Sequence, residues 1–251
     1  MQRLDMLLVA KGICETRTTA QKAIKEGRVS VVANGQQEVV KKPGIKFVDD
    51  VEIVYEAGAE DGFASRGALK LEGALNQFDI SVAGAIAIDV GQSTGGFTDS
   101  LLQQGAAHVV GVEVGHDQLH PKLREDERVS CYEGMNARNL PSSLLDHTQG
   151  HGFDIAVMDV SFISQTKIIP SLSPLIRQGG QLISLVKPQF EVGKANLGKG
   201  GIVKNTALFA QVENLIKQCC SDHNWQVNGF IPSPIKGGDG NQEFLLWAIK
   251  R

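Results

Sequence analysis

The stretch Ala85-Ile86-Ala87-Ile88-Asp89-Val90-Gly91-Gln92-Ser93-Thr94-Gly95-Gly96-Phe97-Thr98 constrains the fold more than any other part of this chain. Its apolar first half, with β-branched residues, reads as a buried strand too short to be a helix of its own. Asp89 closes the strand, a glycine-rich turn follows, and residues 98–104 read as the first turns of a helix that Thr98 can cap. Strand, glycine turn and helix form the opening unit of a doubly wound sheet, in which ligands bind beyond the carboxyl ends of the strands. Glycines serve where the backbone takes positive φ or a ligand comes close. This turn is therefore the expected cofactor site.

Three readings of the turn compete. The dinucleotide fingerprint G-x-G-x-x-G is absent, because Gly91 is followed by Gly95 and Gly96. Gly91-Gln92-Ser93-Thr94-Gly95 has the form of a nucleophile elbow, which would make Ser93 a hydrolase nucleophile. Little sheet precedes this strand, however, and no glycine-rich oxyanion loop lies upstream. The third reading is an S-adenosylmethionine loop. It gains support from Val109-Val110-Gly111-Val112-Glu113, a second strand ending in an acid, where a carboxylate can hold ribose hydroxyls.

At 251 residues the chain can hold one sizeable domain and a small one. No apolar run approaches the roughly 20 residues of a membrane helix, and Met6 to Ala10 is too short for the core of a signal peptide. Cys14, Cys131, Cys219 and Cys220 show no C-x-x-C spacing, so a reduced, cytoplasmic setting is expected. A net charge of −3 argues against a uniformly basic nucleic-acid binder but leaves room for a basic face.

Residues 1–58 read as a separate small α+β unit. Leu4, Leu7, Leu8 and then Ala20, Ala23, Ile24 recur at helical spacing, and Arg3, Lys11, Arg17, Lys22, Lys25 and Arg28 give this end a cationic bias. Val29 and Val31 then alternate into a strand that turns at Asn34-Gly35. Residues 59–64 are small and polar, a plausible linker. A helix is expected over residues 68–78, with Ser65 as its cap and Lys70 one step off its apolar stripe, where a lysine is ordinarily a surface residue. His116 and His120, four apart, have no third ligand at a recognisable spacing, so no metal is expected. Strands over 129–132, 153–159 and 182–186 follow, the second ending in Asp159 and the third in Lys187-Pro188. Between the last two, residues 163–176 read as a helix ending before Gly179-Gly180. Residues 190–204, with Gly193, Gly198, Gly200, Gly201, Lys194, Lys199 and Lys204, read as a mobile cationic loop. A helix over 207–220 and strands over 225–231 and 244–249 complete the pattern, closing the sheet with a hairpin joined through residues 232–238.

Arg3-Leu4-Asp5, Leu7-Leu8, Arg17, Ala20, Ile24, Gly27-Arg28-Val29, Asn34-Gly35 and Pro43-Gly44 together resemble the RNA-binding domain named after ribosomal protein S four. The second part is similar to the TlyA family, whose members are named both as haemolysins and as rRNA 2′-O-methyltransferases, with an FtsJ-type catalytic domain. Its matching stretches are Ser65-Arg66-Gly67, residues 89–98, Asp159-Val160-Ser161-Phe162-Ile163-Ser164, Leu185-Val186-Lys187-Pro188-Gln189-Phe190-Glu191, Lys199-Gly200-Gly201 and Gly240-Asn241-Gln242-Glu243-Phe244. Gln92, Glu113 and His116-Asp117 depart from the family pattern around the cofactor pocket.

The resemblance implies a class I, Rossmann-like α/β sheet over 65–251, mostly parallel with a C-terminal antiparallel hairpin. It also implies a cytoplasmic, S-adenosylmethionine-dependent enzyme acting on ribosomal RNA or ribosomal subunits, with no membrane partner. The cofactor would be held by Asp89, Gly91, Ser93, Thr94, Gly95, Gly96, Phe97, Thr98 and Asp159, with Glu113 on its ribose and Asn136 and Ala137 on its adenine side. Arg3, Arg17, Arg28 and Arg66 would contact RNA. Lys70, Asp159, Lys187 and Glu243 match the family's catalytic Lys-Asp-Lys-Glu tetrad. Lys187 would be the base, its neutral form favoured by neighbouring Lys70 and partial burial. Against this stand a membrane-active haemolysin, an RNA-binding protein with an inactive catalytic domain, and four merely structural ion-pairing residues.

Overall fold

The computed structural model describes every residue except Asn34, Glu60, Gly238 and Asp239, so part of the expected hairpin turn and of the 232–238 connection lies outside the described residues. The chain divides into two compact units, Met1–Gly62 and Phe63–Arg251. The expected 59–64 linker is shorter than its composition suggests. Asp61 Oδ2 accepts from the Gly58 amide, the Tyr55 hydroxyl and Arg28 Nη1 at 2.6, 2.5 and 2.7 Å, which ties residue 61 to the first unit. The Ala64 amide donates to Asp99 Oδ2 at 2.6 Å, inside the second.

In the first unit β1 (Gln2–Arg3) pairs with β4 (Lys46–Phe47), and helices α1 (Leu4–Ala10) and α2 (Arg17–Lys25) pack together. Thr16 caps α2 by accepting from the Thr19 amide, and Gly27 at φ +79° ends the helical turn. An antiparallel sheet ordered β3-β2-β5 follows, from β2 (Val29–Ala33), β3 (Gln36–Val39) and β5 (Glu52–Tyr55). Leu4, Leu8, Ala20, Ile24, Val29 and Val31 form its core, the residues at helical and strand spacing in the sequence.

In the second unit α3 (Ala68–Phe78) precedes β6 (Ile86–Val90), α4 (Gly96–Gln103), β7 (His108–Glu113), α5 (Pro121–Arg124), β8 (Val129–Glu133) and β9 (Phe153–Met158). Then come α6 (Ile169–Leu172), β10 (Ile176–Val186), α7 (Pro188–Glu191), α8 (Ala207–Asp222), β11 (Trp225–Pro232) and β12 (Phe244–Lys250). The seven strands are ordered β11-β12-β10-β9-β6-β7-β8, and β12 runs antiparallel to both its neighbours. Alternate residues supply opposite faces: Ile88, Val110, Ala156 and Leu182 enter one apolar cluster, while Ala87, Val109, Ile155 and Ile183 enter the other. A sheet buried on both faces requires the continuous apolar runs seen in the sequence.

Three local expectations change. Residues 163–176 do not form one helix: two 3-10 turns flank the four-residue α6, and Ile176 already pairs with Phe153 as strand. Pro170 and Pro174 lack the amide hydrogens a continuous helix needs. Gly67, not Ser65, occupies the N-cap of α3, and Gly95, not Thr98, that of α4. The 190–204 segment holds the last two residues of α7 and two short 3-10 turns, Lys194–Asn196 and Lys199–Gly201.

Asp5 is fully buried and accepts from Arg3 Nε and Nη2, Arg17 Nε, Gln21 Nε2 and the Met6 amide. Arg3 above all, then Gln21 and Arg17, hold its carboxyl well below the usual carboxylate range against the opposing effect of burial. A depressed folded-state value gives stability that is present above the unfolded value of about 3.9 and is lost as pH falls below it. Asp5→Ala is expected to destabilise this unit by about 2 kcal/mol near neutrality. Hydrogen exchange of α1 and α2 peptides should accelerate in the variant, and the wild-type protein should match that acceleration only under acid.

Candidate active site

Parallel strands all end on one edge of the sheet, and four chain segments leave it there: Gly91 after β6, Glu113 at the end of β7, Asp159 after β9 and Lys187 after β10. Because β12 runs the other way, its beginning lies at this same edge, with Phe244 opposite Val186. Glu243, the residue before it, is thereby delivered to the same place.

Two neighbouring pockets open at this edge. One, of about 340 Å³, is lined by Arg66, Lys70, Asp159, Ser161 and Lys187 together with Ser93, Thr94, Gly96 and Phe97 of the turn. The other, of about 590 Å³, is lined by Glu113, Asn136, Ala137 and Phe162 among others. Gly91, Ser93, Asp159 and Ser161 border both.

Lys70 is buried, which the reading as an ordinary surface lysine does not allow, and its Nζ donates to Glu243 Oε2 at 2.5 Å. Gly237 makes room for that carboxylate: a Cβ there would come within 2.6 Å of Glu243 Oε1. Lys187 Nζ lies 2.5 Å from Asp159 Oδ1 and donates to Ser161 Oγ at 3.0 Å. The two lysines thus line one pocket but face separate carboxylates. The pairing of each ammonium is what burial of charge demands.

Gly91, at φ +85°, lets the turn pass close beneath the Asp159 carbonyl: a Cβ would lie 2.4 Å from that oxygen. Glu113 Oε2 accepts from the Ser93 amide at 2.9 Å and Oε1 from the Gly115 amide at 2.8 Å. Its carboxylate is therefore fixed in orientation, with lone pairs left over for hydroxyl donors in the larger pocket. That acceptor, beside an apolar wall of Val112, Met135 and Ile168, suits a nucleoside carrying two hydroxyls.

Asp89 and Thr98 line neither pocket. They lie beneath the turn, where Thr98 Oγ1 donates to Asp89 Oδ2 at 2.7 Å and accepts from Gln92 Nε2 at 2.9 Å. Gln92, which departs from the family pattern, fills the space that a side chain at Gly111 would occupy, within 2.0 Å of such a Cβ. Ser93 Oγ donates to the side-chain oxygen of Gln118 at 3.1 Å, which is not a general base, so the nucleophile-elbow reading gains nothing from the geometry.

Among the expected RNA contacts, Arg66 lines the smaller pocket, and Arg3 and Arg17 gather around Asp5 with side chains 38% and 55% exposed. Arg28 differs. Its side chain is 15% exposed, engages Glu26, Tyr55 and Asp61, and lies over the Tyr55 ring. Sequence reasoning missed Ser161 as the second contact of Lys187, and Phe162, whose ring is 90% exposed at φ +63° on the larger pocket's rim.

Burial pushes the Asp89 carboxyl up to about 7, with the charges of Asp159 and Glu113 adding and the Thr98 hydrogen bond opposing. An acid raised in the folded state favours folding fully only below its unfolded value, and that contribution is lost as pH rises from about 4 to about 7. Asp89→Asn keeps an acceptor for Thr98 and removes the charge. Denaturant titrations should show a flatter dependence of stability on pH across that window than in the wild-type protein.

Residues 63–250 match the family of FtsJ-like methyltransferases, and residues 2–46 match the S4 domain. The chain is 39% identical over 245 residues to the 16S/23S rRNA (cytidine-2′-O)-methyltransferase TlyA of Mycobacterium tuberculosis, covering 98% of this chain and 88% of that protein. It is also 39% identical over 248 residues to Hemolysin A of Brachyspira hyodysenteriae, covering 98% and 99%. A solved structure of a hemolysin-named protein from Streptococcus thermophilus superimposes with a TM-score of 0.74 at 41% identity, over 99% of this chain and 88% of that one. The strand order, the two pockets at the carboxyl edge and these matches have one reading: the chain belongs to the FtsJ-like methyltransferase family and carries an S4 domain ahead of its catalytic unit.

Proposed function

We propose that this protein transfers the methyl group of S-adenosylmethionine to a ribose 2′-hydroxyl of ribosomal RNA. The observation that carries the reading is the meeting of Lys70, Asp159, Lys187 and Glu243 beside the glycine turn, two lysines each braced by its own carboxylate. When bound, the cofactor supplies an electrophilic methyl group on a sulfonium. Glu113 would hold its ribose hydroxyls, Asn136 and Ala137 would border its adenine, and Gly91, Ser93 and Asp159 would bound its methionine end.

The chain's own part is to prepare the hydroxyl. A ribose hydroxyl is a weak nucleophile until its proton is accepted. Lys187 Nζ, once it has passed a proton to water, has a lone pair for the hydroxyl proton, and the Asp159 carboxylate 2.5 Å away steadies the resulting ammonium. Lys70, fixed by Glu243, adds positive charge beside the developing alkoxide. Placing the hydroxyl against this group, rather than any new covalent chemistry, supplies much of the rate.

Arg66 at the pocket and Arg3 and Arg17 on the S4 domain would take phosphates, which position RNA without reading its sequence. Arg28 would act chiefly as a brace for that domain. The substrate would be met in the cytoplasm, as free ribosomal RNA or in a ribosomal subunit. The haemolysin reading draws no support from the helices: among the described residues none is long and apolar enough to cross a membrane.

Glu113→Ala should weaken S-adenosylmethionine binding about tenfold or more while leaving the unfolding transition in place, since a charged acceptor of two hydroxyls is lost. Calorimetric titration of the folded variant checks this, and unchanged affinity would remove Glu113 from the cofactor site. Lys187→Ala should abolish methyl transfer with cofactor and RNA binding nearly unchanged, as expected of a group acting in the transition state. Lys187→Arg should not restore it, because a guanidinium keeps its proton. Ribose-methylation mapping on rRNA treated with each variant is the measurement. Near-normal transfer by Lys187→Arg would leave this residue only a positive anchor.

A further inference from the structure

Asp159 and Lys187 belong to different loops, one leaving β9 and one leaving β10, and their 2.5 Å contact depends on how those loops are held together. Three further links join the Asp159 loop to the end of β10 and to the loop that leaves it. Gln165 Nε2 donates to the Leu185 carbonyl, two residues before Lys187, at 2.8 Å, and Gln165 is itself buried. The Phe162 and Phe190 rings pack with centroids 5.1 Å apart. Glu191, at the end of α7, accepts from Ser164 Oγ at 2.5 Å through Oε2 and from the Gln165 amide at 2.9 Å through Oε1.

Glu191 is the charged member of this set. It is half-buried, and burial raises its carboxyl above the ordinary glutamate value against the opposing Ser164 and Gln165 hydrogen bonds. A carboxylate kept in so unfavourable a setting is held by what it binds, and both donors lie on the Asp159 loop. The far end of this segment is anchored in the core by Ile168, Ile169 and Leu172, whereas near Asp159 the chain carries the exposed Phe162 at positive φ. We infer that Glu191 is a positioning residue that staples the Asp159 loop to the Lys187 loop and so sets the spacing of that pair. It touches neither pocket and takes no part in proton transfer.

The inference rests on the methyltransferase reading, so the test begins with the wild-type protein and Lys187→Ala, assayed for methyl transfer from S-adenosylmethionine to rRNA. Transfer by the first and none by the second upholds that reading independently of Glu191. Glu191→Ala should then lower kcat about 100-fold, the scale of a displacement of about 1 Å at reacting groups, with KM for both substrates within about threefold. Glu191→Gln, which keeps an acceptor for the Gln165 amide and a polar contact for Ser164, should recover most of the loss. Assays run well below the unfolding transition, with melting followed in parallel, separate placement from stability. A Glu191→Ala protein that melts earlier yet turns over at the wild-type rate would make Glu191 structural only. A Glu191→Gln protein as slow as Glu191→Ala with unchanged melting would overturn the staple from the other side, because the contacts to the Asp159 loop are kept and the rate does not return.

Discussion

Charge held out of water at the carboxyl edge of the central sheet is the constraint on which the rest of this protein depends. An ion removed from water without a partner costs several kcal/mol, a large part of a domain's net stability. Lys70 and Glu243 are both nearly inaccessible, and each is tolerable only because the other is 2.5 Å away. The pairing fixes the first turn of α3 against the entry of β12. Lys187 and Asp159 fix the exits of β10 and β9 in the same manner, although both retain some contact with water. The arrangement that would serve catalysis is thus also the one that electrostatics makes hard to disturb.

The glycine turn obeys a complementary rule. Its backbone must pass near the Asp159 carbonyl and its amides must turn toward Glu113, so Gly91 cannot carry a side chain and Ser93 accepts a positive φ of 47°. Beneath it, Asp89, Thr98 and Gln92 form a buried chain of hydrogen bonds that supports the turn from behind. Residues expected to touch a cofactor therefore separate into those that border a pocket and those that hold the border in place.

The periodic parts of the sequence were the legible ones. The apolar runs of strands β6, β7 and β9, the stripe of α3 over 68–78 and the glycine turn all follow from local residue order. The four positions matched to the tetrad came from family likeness alone, and Lys70 by itself read as a surface residue. What stayed hidden depends on tertiary choice. Nothing local tells that Arg28 turns inward to Asp61, that Ser161 meets Lys187, or that Glu191 reaches Ser164 across 27 positions. The break in the helix expected at 163–176 goes with Pro170 and Pro174, whose missing amide hydrogens are written in the sequence itself.

The placement of β12 bears on the order in which the second unit is assembled. Last among the described strands in sequence, it sits between β10 and β11 rather than at an edge, and Lys70 must wait for a partner 173 positions later. Contacts so distant in sequence form late, because the intervening chain must first be drawn in. Until β12 slides into its slot, β10 and β11 lack the strand that joins them and Lys70 has no carboxylate. A chain still without β12 lacks the Lys70–Glu243 pair even where the strands around β6 are in place. Insertion of one interior strand thus couples closure of the sheet to closure of the Lys70–Glu243 pair.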